Sequence, residues 1–336
     1  MKNKKVLTLK NSSKQKILNA IASIIKESRT FFIAGHTKPD GDALGSGIAL
    51  SSMLRRMGKK VTHCSVDPVP SDMLFIPQSN KIKITNKVNG FFDCAIILES
   101  INFERMGDII LPEQAKKIIN IDHHLAHTNF GDVNYVVPES SSVSELVYDV
   151  FENLKMIPTK QEAENLYIGI VTDTGRFQQL NTNSNSHLVT AELLKYGVNS
   201  NKLCKKLFST LELPKIKLYG LALSNIKTAF NNKFIYIKIT KEMFEKTGSS
   251  YTDTDGIINY CIAVPTAVAG CILKEETLGS VKISFRSIEK FNLLDVVKQF
   301  NGGGHKNAAG CTIKSDIDTA EKQILKAFEK KLLGNF

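Results

Sequence analysis

Short apolar runs separated by helix-like stretches organise the first half of the chain. Continuous apolar runs of this length are typical of strands that are buried on both faces. They cover residues 31–35, a segment near Val61, residues 95–98 and residues 118–121. Apolar positions at helical spacing predict helices over residues 17–25, 43–57, 143–154 and 161–171. The alternation predicts an α/β domain with a mostly parallel sheet and helices on both faces.

The pattern changes in the second half of the chain. Residues 186–230 have a helical pattern that Pro214 interrupts, which is typical of a connection between domains. Beyond it, the pattern predicts strands over residues 234–239, 264–273 and 281–285 and helices over residues 293–300 and 319–333. We therefore expect a first domain over residues 1–188, a helical linker over residues 189–228 and a smaller α/β domain over residues 229–336.

Composition limits the class of protein. The 336 residues are 42% hydrophobic and 23% charged, as in ordinary globular domains, which excludes a disordered chain. The six cysteines form no CxxC pair, which argues against a zinc site and favours a reducing compartment. The apolar runs are too short to span a bilayer. We expect a cytoplasmic protein with no membrane partner.

The net charge of +11 does not by itself identify the type of binding partner. An excess of lysine favours a polyanionic partner such as nucleotides or nucleic acid. Codon bias toward lysine produces the same excess without any binding. Because the lysines are scattered along the chain, we expect no track for long nucleic acids.

Four clusters of carboxylates or imidazoles each follow a predicted buried strand. They are His36 with Asp40 and Asp42, then Glu99, then Asp122 with His123 and His124, and finally Asp173 after residues 167–171. The carboxyl ends of parallel strands meet at one edge, so we expect these groups to converge there. Like charges at such a site raise one another's pKa, and divalent cations relieve the conflict. Oxygen ligands with some imidazole favour manganese or magnesium over zinc.

A glycine run near the C-terminus is a candidate phosphate site. It comprises Asn301, Gly302, Gly303, Gly304 and His305. Consecutive glycines let a phosphate approach the main-chain N–H groups, whereas the alternative is a flexible loop. Arg286, one of only six arginines, and His305 are suited to charge-assisted hydrogen bonds with a phosphate.

Together these motifs resemble those of the DHH phosphoesterase superfamily. The resemblance rests on His36-x-x-x-Asp40-x-Asp42, on the Asp122-His123-His124 triplet and on residues 169–177. Residues 301–310, with Ser284 and Arg286 just ahead of them, resemble the GGGH signature of the associated C-terminal domain. Length and domain pairing are most similar to the NrnA-like branch of oligoribonucleases and PAP phosphatases.

The resemblance implies a hydrolase with two divalent metal ions in a cleft between its domains. Manganese is the expected metal, with magnesium or cobalt as alternatives. One ion would bind His36 and Asp40, the other Asp42, His123 and Asp173, and Glu99 would bridge both. Asp122 and His124 would be catalytic groups that orient ligands or contact phosphate. The substrate would contact Ser284, Arg286, Asn301, Gly302, Gly303, Gly304 and His305.

The implied reaction is hydrolysis of short nucleotides to 5′-nucleoside monophosphates by a metal-activated water. The expected substrates are pApA, cyclic di-AMP, di- to pentanucleotides and pAp, and the resemblance is compatible with a homodimer. The GGGH segment argues against a pyrophosphatase, and the length argues against a RecJ-type exonuclease with an added OB-fold. Glu99 stands where the family has aspartate. The alternative is therefore a nucleotide-binding or sensor module with a weakened active site.

Overall fold

The structure, a computed structural model, describes residues 2–125, 128–276 and 279–333, with side chains given between residues 13 and 332 outside the two gaps. The chain divides into two compact units, Met1–Thr210 and Leu211–Phe336. Among the described residues, no helix has the length and apolar character that spanning a bilayer requires. The division at residue 210 falls inside the segment predicted as a linker.

The first unit contains a six-stranded sheet in which all paired strands are parallel. The strands are β1 (Thr30–Ala34), β2 (Lys60–Ser65), β3 (Lys83–Ile84), β4 (Cys94–Leu98), β5 (Ile118–Asp122) and β6 (Val133–Val136). Their spatial order is β3-β2-β1-β4-β5-β6, which confirms the predicted parallel sheet. The order reverses between β1 and β4. In open parallel sheets, ligands bind beyond the carboxyl ends of the strands at such a reversal.

Alternate residues of the strands pack into two different cores, one on each face of the sheet. The helices are α1 (Lys2–Glu27), α2 (Gly41–Arg56), α3 (Val143–Asn153), α4 (Lys160–Asp173), α5 (Ser184–Lys195) and α6 (Ser200–Phe208). Phe31 and Ile33 of β1 belong to the larger core with residues of these helices. Phe32 of β1 belongs to a second core on the opposite face, with Met106 and Ile110. Short 3-10 helices at Phe103–Met106 and Pro112–Gln114 accompany that second core.

The helix predicted over residues 161–171 is confirmed by α4, whereas the strand expected over residues 167–171, just ahead of Asp173, is wrong because this stretch is the last part of that helix. A short buried apolar run does not by itself distinguish a strand from a buried helix. Glycines bring α4 close to α2 and α3. A Cβ at Gly45 would collide with the carbonyl of Asn165, and one at Gly169 would collide with Ser144 Oγ. Asp173 therefore comes from the end of a helix and not from a strand.

The second unit is a mixed sheet with helices. Its elements are α7 (Leu213–Ser224), β7 (Lys227–Ala229), β8 (Phe234–Ile239), α8 (Lys241–Thr247), α9 (Ile258–Ile262), β9 (Ala269–Glu275), β10 (Val281–Ser287), α10 (Leu294–Val297), β11 (Gly303–His305), β12 (Ala308–Ile313) and α11 (Ile317–Leu333). The order is β11-β12-β10-β9-β8-β7, with only β8 and β9 parallel. Phe328 of α11 packs on one face, with its ring centroid 4.5 Å from that of Phe234. Residues of α7 and α9 form a core with the other face of β8 and β9.

Candidate metal centre

His36 and Asp40 lie on the turn between β1 and α2. Asp40 is the N-cap of α2, and its Oδ1 accepts hydrogen bonds from the N–H groups of Asp42 at 2.9 Å and Ala43 at 3.0 Å. The other carboxylate oxygen lies 3.9 Å from His36 Nε2. His36 Nδ1 lies 2.7 Å from the carbonyl oxygen of Thr37. That contact assigns the proton to Nδ1 and leaves the lone pair of Nε2 directed at the carboxylates, as in metal-ligating histidines.

Asp42 is fully buried and is held by the first turn of α3. Its carboxylate accepts hydrogen bonds from the N–H of Val143 at 2.6 Å, from the N–H of Ser144 at 2.9 Å and from Ser144 Oγ. Burial raises the pKa of Asp42 to about 6, although the charge of His123 and the Ser144 bond act in the opposite direction. The helix N-terminus thus fixes the orientation of this carboxylate.

Glu99 directly follows β4 and has a left-handed backbone with φ of 52°. Its side chain is buried, and Oε2 has no hydrogen-bond partner among the described residues. Oε2 lies 3.7 Å from His36 Nε2. Burial, followed by repulsion from Asp42 and other carboxylates, raises the pKa of Glu99. A buried carboxylate without a partner is costly, and a bound cation is the group that removes the cost.

Asp122 ends β5 and organises the two histidines that follow it. Its Oδ1 accepts hydrogen bonds from the N–H of His123 at 2.8 Å and from His124 Nδ1 at 2.7 Å. Burial favours the neutral acid, but the bond with His124 and its charge outweigh burial, so the pKa of Asp122 is lowered. His123 Nδ1 lies 3.1 Å from the carbonyl of Ser140, and its Nε2 lies 3.4 Å from Asp173 Oδ2.

These side chains form two groups of three potential ligands. Within each group the donor atoms lie within 4.8 Å of one another, and the groups are His36, Asp40 and Glu99, and Asp42, Glu99 and His123. Glu99 belongs to both groups. Asp173 adjoins the second group through His123, and burial followed by repulsion from Asp42 raises its pKa to about 7. Clustered carboxylates and free imidazole nitrogens are a donor set that fits divalent cations.

Two positions that the sequence analysis did not identify support this cluster. Asn181 Nδ2 donates to the carbonyls of Ser141 at 2.9 Å and Asp173 at 3.1 Å. Glu145 is buried and accepts hydrogen bonds from the hydroxyl groups of Ser141 and Ser140. Both side chains therefore hold the loop that contains Ser140 and Ser141. The carbonyl of Ser140 contacts the ring of His123, a candidate metal ligand. The available signal was the capping pattern Ser-x-x-Glu that starts at residue 142.

The predicted substrate residues of the second unit lie on or beside its three-stranded edge. Ser284, Asn301, Gly302 and Gly303 line a groove of about 610 Å³. Arg286 on β10 pairs with Ala308 on β12, and Ala308 in turn pairs with His305 on β11. Arg286 and His305 therefore lie at the same level of this edge.

The three glycines of this segment are not equivalent. A Cβ at Gly302 would collide with Val297, and Gly304, with φ of +136°, would collide with the carbonyl of Ala308. A Cβ at Gly303 has no described heavy atom within 4 Å. The fold itself therefore requires Gly302 and Gly304. Only Gly303 leaves the backbone open to a ligand.

Comparison with known proteins identifies one family for both parts of the chain. The model of the DHH family N-terminal domain matches residues 30–170, and that of the DHHA1 domain matches residues 231–333. The chain is 30% identical to the bifunctional oligoribonuclease and PAP phosphatase NrnA of Thermus thermophilus over 94% of each chain. It is 29% identical to the NrnA protein of Bacillus subtilis over 85% of this chain and 90% of the relative.

Solved structures share the fold. An exopolyphosphatase-related protein of Bacteroides fragilis superposes with a TM-score of 0.86 at 28% identity, covering 95% of this chain and 97% of that chain. The exonuclease RecJ bound to manganese has a TM-score of 0.52 at 13% identity, with 95% of each chain covered, and shows the fold alone. Two family models match in order along the chain and a relative aligns over nearly its whole length, so this chain belongs to the DHH family of phosphoesterases, which are hydrolases.

Proposed function

We propose that this enzyme hydrolyses short nucleotides to 5′-nucleoside monophosphates in a manganese-dependent reaction. The observation that supports the proposal is the pair of three-donor groups that share Glu99. Two divalent ions, when bound, acidify a coordinated water and neutralise charge on phosphoryl oxygens. We assign His36 and Asp40 to one ion, Asp42, His123 and Asp173 to the other, and Glu99 to both.

The remaining groups of the first unit have distinct roles in this proposal. Asp122 orients His124 by accepting its Nδ1 proton at 2.7 Å. The Nε2 atom of the partly exposed His124 side chain is then available to donate to a phosphoryl oxygen or to the leaving oxygen. Asp122 also accepts a hydrogen bond from the N–H of His123, so it positions both imidazole rings beside the carboxylates.

The substrate class rests on the relatives and on the second unit. The relatives of Thermus and Bacillus are named for activity on oligoribonucleotides and on PAP. We propose the same classes here, with pApA and cyclic di-AMP as further substrates of the same chemistry. The open backbone at Gly303 and the side chains of Ser284 and Arg286 would bind the nucleotide portion.

A substrate panel tests the proposal. Purified protein is incubated with manganese and with pApA, cyclic di-AMP, a pentaadenylate or pAp, and the release of 5′-AMP is measured by chromatography. We expect turnover of at least one short nucleotide, its loss with a chelator and its recovery on adding manganese. Binding of these nucleotides without turnover would instead support the sensor alternative.

A further inference from the structure

Part of one sheet face in the second unit is open and polar. Residues of α7 and α9 form a core with this face over β8 and β9. On β10 the same face presents Lys282, Ser284 and Arg286 at alternate positions, with Lys282 exposed and the other two partly exposed. The register places Lys282 beside Thr312 and Ser284 beside Gly310. On this face of β10, Ser284 thus lies between two cationic side chains, Lys282 and Arg286.

A second positive group lies beyond the predicted glycine site. Lys282, Thr312 and Lys314 line the same groove of about 610 Å³ as Gly303, and none of its lining residues is acidic. Neither lysine forms an ion pair with a carboxylate among the residues that the structure describes. Lys282 also stands directly opposite Lys274 across the β9–β10 pair. Lys274 does not line the groove, because its Nζ donates hydrogen bonds to the carbonyl of Tyr251 at 3.1 Å and to Thr254 Oγ1 at 2.9 Å, so the lysines of the groove are Lys282 and Lys314.

The groove also contains an aromatic ring. Phe300 is partly buried and packs against the core on the α11 face of the sheet, and it also lines the groove with the two lysines. An aromatic surface beside cationic groups is the combination by which proteins bind single-stranded nucleic acid, with the base on the ring and the phosphate on the cation. This combination favours a nucleotide over a simple polyphosphate.

We propose that Lys282, Lys314 and Phe300 form a second phosphate-and-base site that selects for oligonucleotides over single nucleotides. The proposal rests on the function proposed above. Lys282 and Arg286 are four residues apart on one strand, so their Cα atoms are separated by roughly 13 Å. A single nucleotide such as pAp occupies only one end of this row. A chain of three nucleotides extends from Arg286 and His305, which pair with the same residue of β12, to the lysines.

The test compares substrates of different length in a double variant, Lys282→Ala with Lys314→Ala. With manganese, we expect kcat/KM for pApApA to fall by about tenfold, mainly through KM, while kcat/KM for pAp stays within about twofold. Lys322→Ala, an exposed lysine on α11 outside the groove, is the matched control and should leave both values unchanged. An equal loss for both substrates, or no loss for pApApA, overturns the proposal.

A binding measurement separates this proposal from the function itself. A phosphorothioate triadenylate is titrated into metal-free protein at several salt concentrations. The double variant should show a salt dependence that is shallower by about 0.7 per lost phosphate contact. An unchanged slope overturns the second site even if the wild type hydrolyses nothing. Equal competition by tripolyphosphate and by triadenylate would overturn the nucleotide assignment.

Discussion

In the metal-free protein, Asp173→Asn should stabilise the fold at alkaline pH. Asp173 lies at the end of α4 among other carboxylates, and burial with repulsion from Asp42 raises its pKa from 3.8 to about 7. In the unfolded chain the group has its ordinary pKa. Between these two pKa values the folded state therefore binds more protons than the unfolded state. Stability of the metal-free wild type consequently falls as pH rises from about 4 to 7.

The size of this effect follows from the shift in the pKa. One pKa unit corresponds to about 1.4 kcal/mol, so a shift of roughly three units sets an upper limit of about 4 kcal/mol. The Asp173 side chain is 22% exposed, and screening by solvent reduces the expected effect to on the order of 2 kcal/mol. For unfolding of the first unit, Met1–Thr210, that corresponds to a shift in Tm of about 5 °C. Asparagine has similar shape and no charge, so the variant should lack this loss.

The assay is thermal unfolding of chelator-treated wild type and variant at several values between pH 4 and pH 8. We expect equal stability near pH 4 and a variant that is more stable at pH 8. Manganese should raise the Tm of the wild type at pH 8 by more than that of the variant, since a ligand that binds only the folded state stabilises it. A wild type that is as stable as the variant at pH 8, or a gap that widens toward acid, would refute the reasoning.

Three further predictions concern other parts of the molecule. Gly303→Ala should fold normally but weaken pApA hydrolysis by raising KM. Gly302→Ala should lower Tm, because its methyl group would collide with Val297. Equal Tm values for these two variants would contradict this. Asn181→Ala should weaken manganese binding by about tenfold in calorimetry, since it removes the bond that holds Asp173, and unchanged affinity in a folded variant would contradict a positioning role. Phe328→Ala should destabilise the second unit by about 3–5 kcal/mol in denaturant titrations, because three phenylalanine rings lose contacts; a loss below about 1 kcal/mol would contradict the packing.

Much of the first unit follows from its sequence pattern. The apolar run predicted over residues 31–35 forms a buried strand that ends at Ala34, and His36 follows one residue later. Glu99 follows the neighbouring strand β4, and β1 and β4 flank the reversal of strand order. The convergence of these side chains was predictable because parallel strands end at one edge.

Other features depend on tertiary contacts that no local pattern contains. The apolar run ahead of Asp173 fits both a short buried strand and the end of the helix predicted over residues 161–171, and only the packing of α4 against α2 at Gly45 distinguishes them. The hydrogen bond between Asn181 and the carbonyl of Ser141 joins residues 40 positions apart in the chain. The unequal roles of Gly302 and Gly303 also emerge only from their neighbours in the folded hairpin.

Glu99, which belongs to both groups of candidate ligands, is the residue on which the proposed phosphoesterase site most depends. The most direct measurement is the manganese-dependent rate of 5′-AMP release from pApA by the wild type, Glu99→Asp and Glu99→Ala. This role of Glu99 predicts turnover in the wild type, retained or increased turnover with aspartate, and a loss of at least about a hundredfold with alanine. Equal rates in the wild type and in a folded Glu99→Ala variant, or no turnover by the manganese-loaded wild type, would contradict it.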